Sequence, residues 1–123
     1  IIVGDGPDYD AYLKKSKKLK LEENIIFTGK IPYNEIPYYY NIGDVFVTAS
    51  TTETQGLTLI EAMATSIPVV CIDDESFKNT VIDGLNGYLF KNKKEYRTSI
   101  DKLIENKELL IKMVEQAKRK IIN

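Results

Sequence analysis

Histidine is absent from the chain, which removes the commonest general base, the usual Ser-His and Cys-His nucleophile systems, and most zinc sites. Any chemistry here must use carboxylates, hydroxyls, lysines or backbone. Cysteine occurs once, so an internal disulfide is excluded. Cys71 lies in the apolar run Val69-Val70-Cys71-Ile72 and reads as a buried, inert thiol. No apolar stretch approaches the roughly 20 residues needed to cross a bilayer, and no basic segment followed by an apolar one marks a secretory leader. A cytoplasmic location is the expectation. Net charge is almost absent, with 17 Lys and Arg against 18 Asp and Glu, so there is no global pull toward nucleic acid or an anionic membrane. Nucleic acid is not an expected partner. Internal repeats, low-complexity tracts and linkers are also missing.

What is present suits one core. The chain has 123 residues, 43% of them hydrophobic, enough for a single domain and short for two. Ile1-Ile2-Val3 opens directly on an apolar strand with no polar lead-in, and the expectation is a piece of a longer protein. Ile1–Val3 turns through Gly4-Asp5-Gly6-Pro7 into a helix over 8–19, where Asp and Pro stand at helix-start positions. Asn24–Thr28 is a second strand closed by Gly29, followed by a short helix over 33–40 that Gly43 and Asp44 end. Val45–Thr48, a helix over 56–65, Val69–Ile72, a turn or helix over 76–82, and a strand over 87–90 follow. From Lys93 onward, apolar residues spaced by threes and fours predict helix, which Asn106 divides in two. Short apolar strands alternating with helices predict an α/β fold, a doubly wound parallel sheet covered on both faces.

Several features invite a functional reading. Gly4-Asp5-Gly6-Pro7 sits between strand and helix as a phosphate loop would, but it lacks the third glycine and the Walker lysine, so a tight turn is the plainer reading. Lys14, Lys15, Lys17, Lys18 and Lys20 form a basic run that suits either anionic lipid headgroups or simple solvation on an exposed helix face. Tyr33, Tyr38, Tyr39 and Tyr40 suit stacking on a base or sugar, or packing in a core or on a neighbouring domain.

The segment from Val45 to Ile72 carries the sharper signal. A helix started by Gly56-Leu57-Thr58 aims unsatisfied N–H groups and a positive dipole end at whatever lies above the strand, which suits a phosphate. Glu61 lies in the apolar turn Leu59-Ile60-Glu61-Ala62-Met63-Ala64, where a carboxylate is either on an exposed stripe or retained at a cost to bind something. Five residues past Gly56 it stands roughly 7 to 8 Å along the axis from the anion site, about the reach from a diphosphate to a ribose. Doubly wound folds hold nucleotides in this way at the carboxyl ends of their strands. Glu53 precedes the helix and would face the group beyond the phosphates.

Glu53-Thr54-Gln55-Gly56-Leu57-Thr58-Leu59-Ile60-Glu61 resembles the E-x7-E motif of retaining, nucleotide-sugar-dependent glycosyltransferases of GT-B family 4, the "glycosyl transferases group 1". Val3-Gly4-Asp5-Gly6-Pro7, Phe27-Thr28-Gly29, Ala62-Met63-Ala64 with Pro68-Val69-Val70, and Asp83-Gly84-Leu85-Asn86-Gly87-Tyr88-Leu89-Phe90 resemble that family's C-terminal domain, in its order. Ser50-Thr51-Thr52-Glu53-Thr54-Gln55-Gly56 is most similar to bacterial diacylglycerol glucosyltransferases.

The resemblance implies that residues 1–123 form an incomplete nucleotide-sugar donor domain, with the acceptor domain lying outside it. By that resemblance Glu61 holds the ribose hydroxyls of a UDP-sugar, UDP-glucose on the narrower match. Backbone N–H groups of Gly56, Leu57 and Thr58, beside Gln55, hold the diphosphate. Glu53 contacts the hexose as the candidate catalytic residue, the backbone near Ile31 lies against the uracil, and Gly4 belongs to the donor site. The family needs no obligatory enzyme nucleophile, and the resemblance implies neither a metal nor a cofactor. The acceptor would be a diacylglycerol-type lipid or a cell-surface glycan, reached through the other domain, with peripheral association at the inner face of the membrane.

A glycosidase is disfavoured, since its two carboxylates oppose each other across a cleft and gain nothing from a helix start between them. A GT-B sugar-nucleotide epimerase and a noncatalytic nucleotide-binding α/β module are the alternatives. Two departures stand out. The family's Arg and Lys phosphate clamp belongs to a βα unit preceding the strand that begins here at Ile1, so the chain alone is expected to be inactive. Ser66 stands where the family often has Gly after the helix, an αL position.

Overall fold

Two compact units form, residues 1–36 and residues 37–123. The computed structural model describes residues 1–50 and 53–122, with the backbone only for 53–57 and 122.

In the first unit, α1 (Tyr9–Lys18) follows Pro7 and Asp8. It ends in a Schellman motif in which Leu21 N–H donates to Ser16 O at 2.8 Å and Lys20 N–H to Lys17 O at 3.0 Å. Lys20 occupies the left-handed position usually given to glycine, with φ 57°. The strands expected at residues 1–3 and 24–28 are reduced to isolated bridges, Ile2 with Phe27 in parallel sense and Gly4 with Gly29 in antiparallel sense. Among the described residues these two short segments pair with each other and with no third strand, and three strands are what give a sheet independent stability. Tyr9 packs edge-on against Phe27, ring centroids 5.6 Å apart, and a 3-10 turn (Tyr33–Glu35) follows.

The second unit is an α/β layer structure of Rossmann-like type. After α2 (Ile36–Ile42), which straddles the junction of the two units, come β1 (Phe46–Thr48), α3 (Glu53–Ala64), β2 (Val69–Ile72), α4 (Glu75–Lys78) and β3 (Tyr88–Phe90), then α5 (Lys93–Glu105) and α6 (Lys107–Ile122). The sheet is parallel in the order β1-β2-β3, with Phe46 opposite Val69 and Val70 opposite Tyr88. Every residue of β2 except Ile72 is buried, as a central parallel strand requires. Val70, Tyr88, Phe90, Leu103 and Met113 pack into one cluster that brings α5 and α6 onto the sheet.

The helix boundaries of the C-terminal part follow their caps. Asn92 Oδ1 accepts Glu95 N–H at 2.9 Å while Glu95 Oε2 accepts Lys91 N–H at 2.6 Å, a reciprocal arrangement of the capping-box kind. Asn106 is extended and separates α5 from α6, with its Oδ1 accepting Leu109 N–H at 3.1 Å. The division at Asn106 is as its residue type predicts.

Helix α3 departs from the expectation. It starts at Glu53, three residues before Gly56. A glutamate in the first turn complements the positive dipole end, and a glycine inside the turn costs only about 1 kcal/mol. At its other end Ser66 takes φ 69°, the left-handed conformation that position calls for.

The segment 83–87 is a scaffold held by its own hydrogen bonds. Asn86 is buried; its Nδ2 donates to Thr80 O at 3.0 Å and its Oδ1 accepts Ile82 N–H at 2.7 Å. Asp83 Oδ1 accepts Leu89 N–H at 2.9 Å. Gly87 is required by space, since a Cβ there would lie 2.7 Å from Val69 Cγ2 and 3.0 Å from Val81 Cγ1.

Candidate functional site

The strand-turn-helix unit β1-α3 is the centre of the candidate site. Thr48 closes β1 and is buried, and its hydroxyl oxygen accepts Ser50 N–H at 3.2 Å, starting the turn that leads to α3. Thr51 and Thr52 lie outside the described residues. Of Glu53, Thr54, Gln55, Gly56 and Leu57 only the backbone is described, so the expected contact of Glu53 with a hexose and the placement of Gln55 have no side-chain counterpart here.

Their backbone is helical, and this relocates the helix start. An α-helix pairs each N–H with the carbonyl four residues back and leaves only the first turn unsatisfied. With the helix opening at Glu53, the N–H groups of Leu57 and Thr58 fall inside the ladder rather than at its mouth. The positive end is carried by the turn that begins at Glu53. Glu53 and Glu61 stand on one helix, about 12 Å apart along its axis at 1.5 Å per residue.

Glu61 is half-buried while its neighbour Ile60 is 42% exposed. A carboxylate turned inward beside an outward isoleucine is the less hydrophobic of two possible arrangements, and it is retained because a polar partner meets it. Tyr40 Oη lies 3.3 Å from Glu61 Oε2 and 3.4 Å from Thr58 O. The phenol has one proton to donate and both distances are long for O–H···O, so the two acceptors on successive turns of α3 share it. The Tyr40 ring is buried and packs on Phe46 at the start of β1, centroids 5.7 Å apart. Thus α2 and β1 together set the position of a carboxylate on α3.

Tyr40 is the residue that sequence reasoning placed only in a general tyrosine group. The structure separates that group: Tyr40 is buried, whereas Tyr33 and Tyr38 are 77% and 69% exposed and do not fill a core. The signal that could have found it is its place three residues before Gly43, on the last turn of a helix leading into β1.

Gly4 and Ile31 belong to the first unit. Gly4 has φ 115°, and its N–H donates to Gly29 O at 3.0 Å. That N–H is therefore engaged within the fold, while the space where a Cβ would stand is open. Ile31 is half-buried, two residues past Gly29.

Other chemistry at the carboxyl end of the sheet is modest. Asp73 follows β2, with Lys78 Nζ 3.8 Å from its Oδ1 and Lys91 Nζ 3.8 Å from its Oδ2. These distances are too long for hydrogen bonds, and the buried Oδ1 has none. An apolar hollow lined by Val47, Ala49, Phe90, Asn92, Lys93 and Tyr96 lies near the ends of β1 and β3. Burial pushes the Cys71 thiol up to about 12, which keeps it protonated and unreactive. Among the described residues no cluster of three or more His, Cys, Asp or Glu is arranged to hold a metal ion, and no helix is long and apolar enough to cross a membrane.

Comparison with known proteins places this geometry in a family context. Residues 1–120 match the family described as glycosyl transferases group 1. The chain is 41% identical over 110 residues to an alpha-monoglucosyldiacylglycerol synthase of Acholeplasma laidlawii, covering 89% of this chain and 28% of that protein. In three dimensions it resembles S. aureus TarM, solved in complex with fondaparinux, alpha-GlcNAc-glycerol and UDP, with a TM-score of 0.87 and 29% identity over 98% of this chain and 25% of TarM. It also resembles Anabaena HepE in complex with UDP and glucose, with a TM-score of 0.83 and 27% identity over 95% of this chain and 34% of HepE. The chain thus spans between about a quarter and a third of each of these proteins.

Proposed function

The chain belongs to the glycosyl transferases group 1, and from that premise we propose that residues 1–123 are the donor-binding part of a retaining glycosyltransferase that takes the hexose of a UDP-sugar to a hydroxyl acceptor. UDP-glucose is the proposed donor and a diacylglycerol-type glycolipid precursor the proposed acceptor. The likeness to a glucosyldiacylglycerol synthase supports both, and a cell-surface glycan is the second acceptor class. No cofactor or metal is required in this scheme, and the proposed place of work is the inner face of the membrane.

The observation that carries the reading is the half-buried Glu61, positioned by Tyr40 on the helix that follows β1. In this role the carboxylate accepts hydrogen bonds from two vicinal ribose hydroxyls. The diphosphate lies against the first turn of α3, at Glu53 to Gly56, one turn earlier than the Gly56–Thr58 placement. Glu53 faces the hexose. The dipole and N–H groups of α3 stabilise charge growing on the departing diphosphate, an electrostatic form of catalysis. The glutamates then act as binding and orienting groups, not as an acid-base pair.

The experiment is transfer of labelled glucose from UDP-glucose to a lipid extract by the full-length parent protein. Glu61→Ala is expected to raise the donor KM, and Glu53→Ala to lower kcat. Wild-type rates in both variants would overturn the assignment of these residues. Transfer to glycans but not to lipid would move the acceptor to the second class, and interconversion of free UDP-sugars without an acceptor would favour an epimerase.

A further inference from the structure

The helix α1 presents a cationic face that the donor-binding scheme does not use. Five of the chain's 17 basic residues fall at Lys14, Lys15, Lys17, Lys18 and Lys20. All five are exposed, and among the described residues the three ion pairs involve only Lys78 and Lys91. At 100° per residue, Tyr9, Leu13 and Ser16 share the inward side of α1, and Ser16 is buried. Lys14, Lys15 and Lys18 project from the opposite side, while Lys17 lies between the two sides. Beside Lys15 stand Tyr12 and Leu19, 56% and 55% exposed.

The helix dipole accounts for part of this arrangement, since cations near a C-terminus are favoured. That benefit is confined to the last turn, whereas Lys14 lies before it, with Asp10 at i−4 and Lys17 and Lys18 at i+3 and i+4. A lysine-rich face flanked by an exposed tyrosine and leucine presents several cations and an amphipathic margin to an anionic surface. The chain as a whole is nearly neutral, so the attraction is local and oriented.

We propose that this face of α1 docks on an anionic lipid bilayer, with the lysines on the headgroups and Tyr12 and Leu19 at the headgroup boundary. The inference deepens the lipid-acceptor reading by naming the surface that would hold the protein at its acceptor. It concerns α1 alone, so donor binding is a separate measurement.

The test is co-sedimentation of the full-length parent protein with vesicles of equal phosphatidylglycerol and phosphatidylcholine, against phosphatidylcholine alone, at about 0.15 M salt. Binding is expected to the anionic vesicles only, and to be lost at about 1 M salt. Lys14→Gln with Lys18→Gln is expected to weaken it about 25-fold, at about fivefold per lysine near a charged surface. The control Lys112→Gln with Lys118→Gln, on α6, removes the same charge and is expected to leave binding unchanged; circular dichroism checks that both variants are folded. Absence of binding to anionic vesicles, equal losses in the two variants, or tighter binding to polyuridylate than to vesicles would each overturn the proposal. UDP binding by the same preparations separates these outcomes from failure of the donor-site reading.

Discussion

The Tyr40 phenol oxygen stands 3.3 Å from Glu61 Oε2, joining the helix before β1 to the helix after it. Removing the hydroxyl while keeping the ring tests what that contact does. Tyr40→Phe preserves packing on Phe46 and deletes one shared donor, and is expected to cost about 0.5 to 1.5 kcal/mol of stability. If Tyr40 positions Glu61, the parent enzyme also shows a raised KM for the donor with little change in kcat. Unchanged donor KM alongside lowered thermal stability would assign Tyr40 a structural role only.

Gly87 leaves no room for a methyl group, with Val69 Cγ2 2.7 Å from the Cβ position. Gly87→Ala is therefore expected to lower unfolding free energy by about 1 to 3 kcal/mol in urea titration. A neutral result would mean that β2 and β3 separate more easily than their packing indicates.

Asn86→Ala acts on the same turn through hydrogen bonds. It leaves Ile82 N–H and Thr80 C=O without the partner Asn86 supplies, at about 1 to 3 kcal/mol. Asn86→Asp keeps the acceptor for Ile82 but sets a buried carboxylate against the Thr80 carbonyl, and at neutral pH is expected to cost at least as much as Asn86→Ala.

Ser66 holds a left-handed conformation at φ 69°, which costs a side-chain-bearing residue about 1 to 2 kcal/mol. Ser66→Gly relieves that strain and loses some through the freer unfolded chain, for a net gain of about 0.5 to 1 kcal/mol. The melting temperature reads the sign directly.

Cys71 makes a pH prediction. Its thiol ionises at about 12 in the fold against 9.0 when unperturbed, because burial disfavours the thiolate. Between those values the unfolded state has released the proton and the folded state still binds it. The Cys71 contribution to stability is therefore constant below about pH 9 and is lost as pH rises toward about 12. Cys71→Ser or Cys71→Ala should flatten that decline, and a thiol reagent at pH 8 should label the wild type only after denaturant is added.

How far the residues alone disclose this protein varies along the chain. The central strand is legible because β2 is apolar throughout, and the split at Asn106 because an asparagine between two periodic helical stretches has a capping role. The start of α3 is less so: a glycine marks a helix start only when nothing upstream continues the ladder, and Glu53 to Gln55 do continue it. The bridges at Ile2 and Phe27 fall short of strands for a related reason, since a β-branched run becomes a strand only when neighbours pair with it.

The alternation of strand and helix, the placement of one carboxylate in an apolar helical turn, and the motif order that matches the group 1 glycosyltransferases were determined by the sequence itself. Periodicity and residue type are local properties that survive without coordinates. Only the tertiary structure decided which tyrosine meets Glu61, that Asn86 and Gly87 are packing elements, and that α1 turns its lysines outward together. The Tyr40–Glu61 approach and the Gly87–Val69 contact join residues far apart in the chain, and the Asn86 bonds need the particular turn that packing on the sheet imposes.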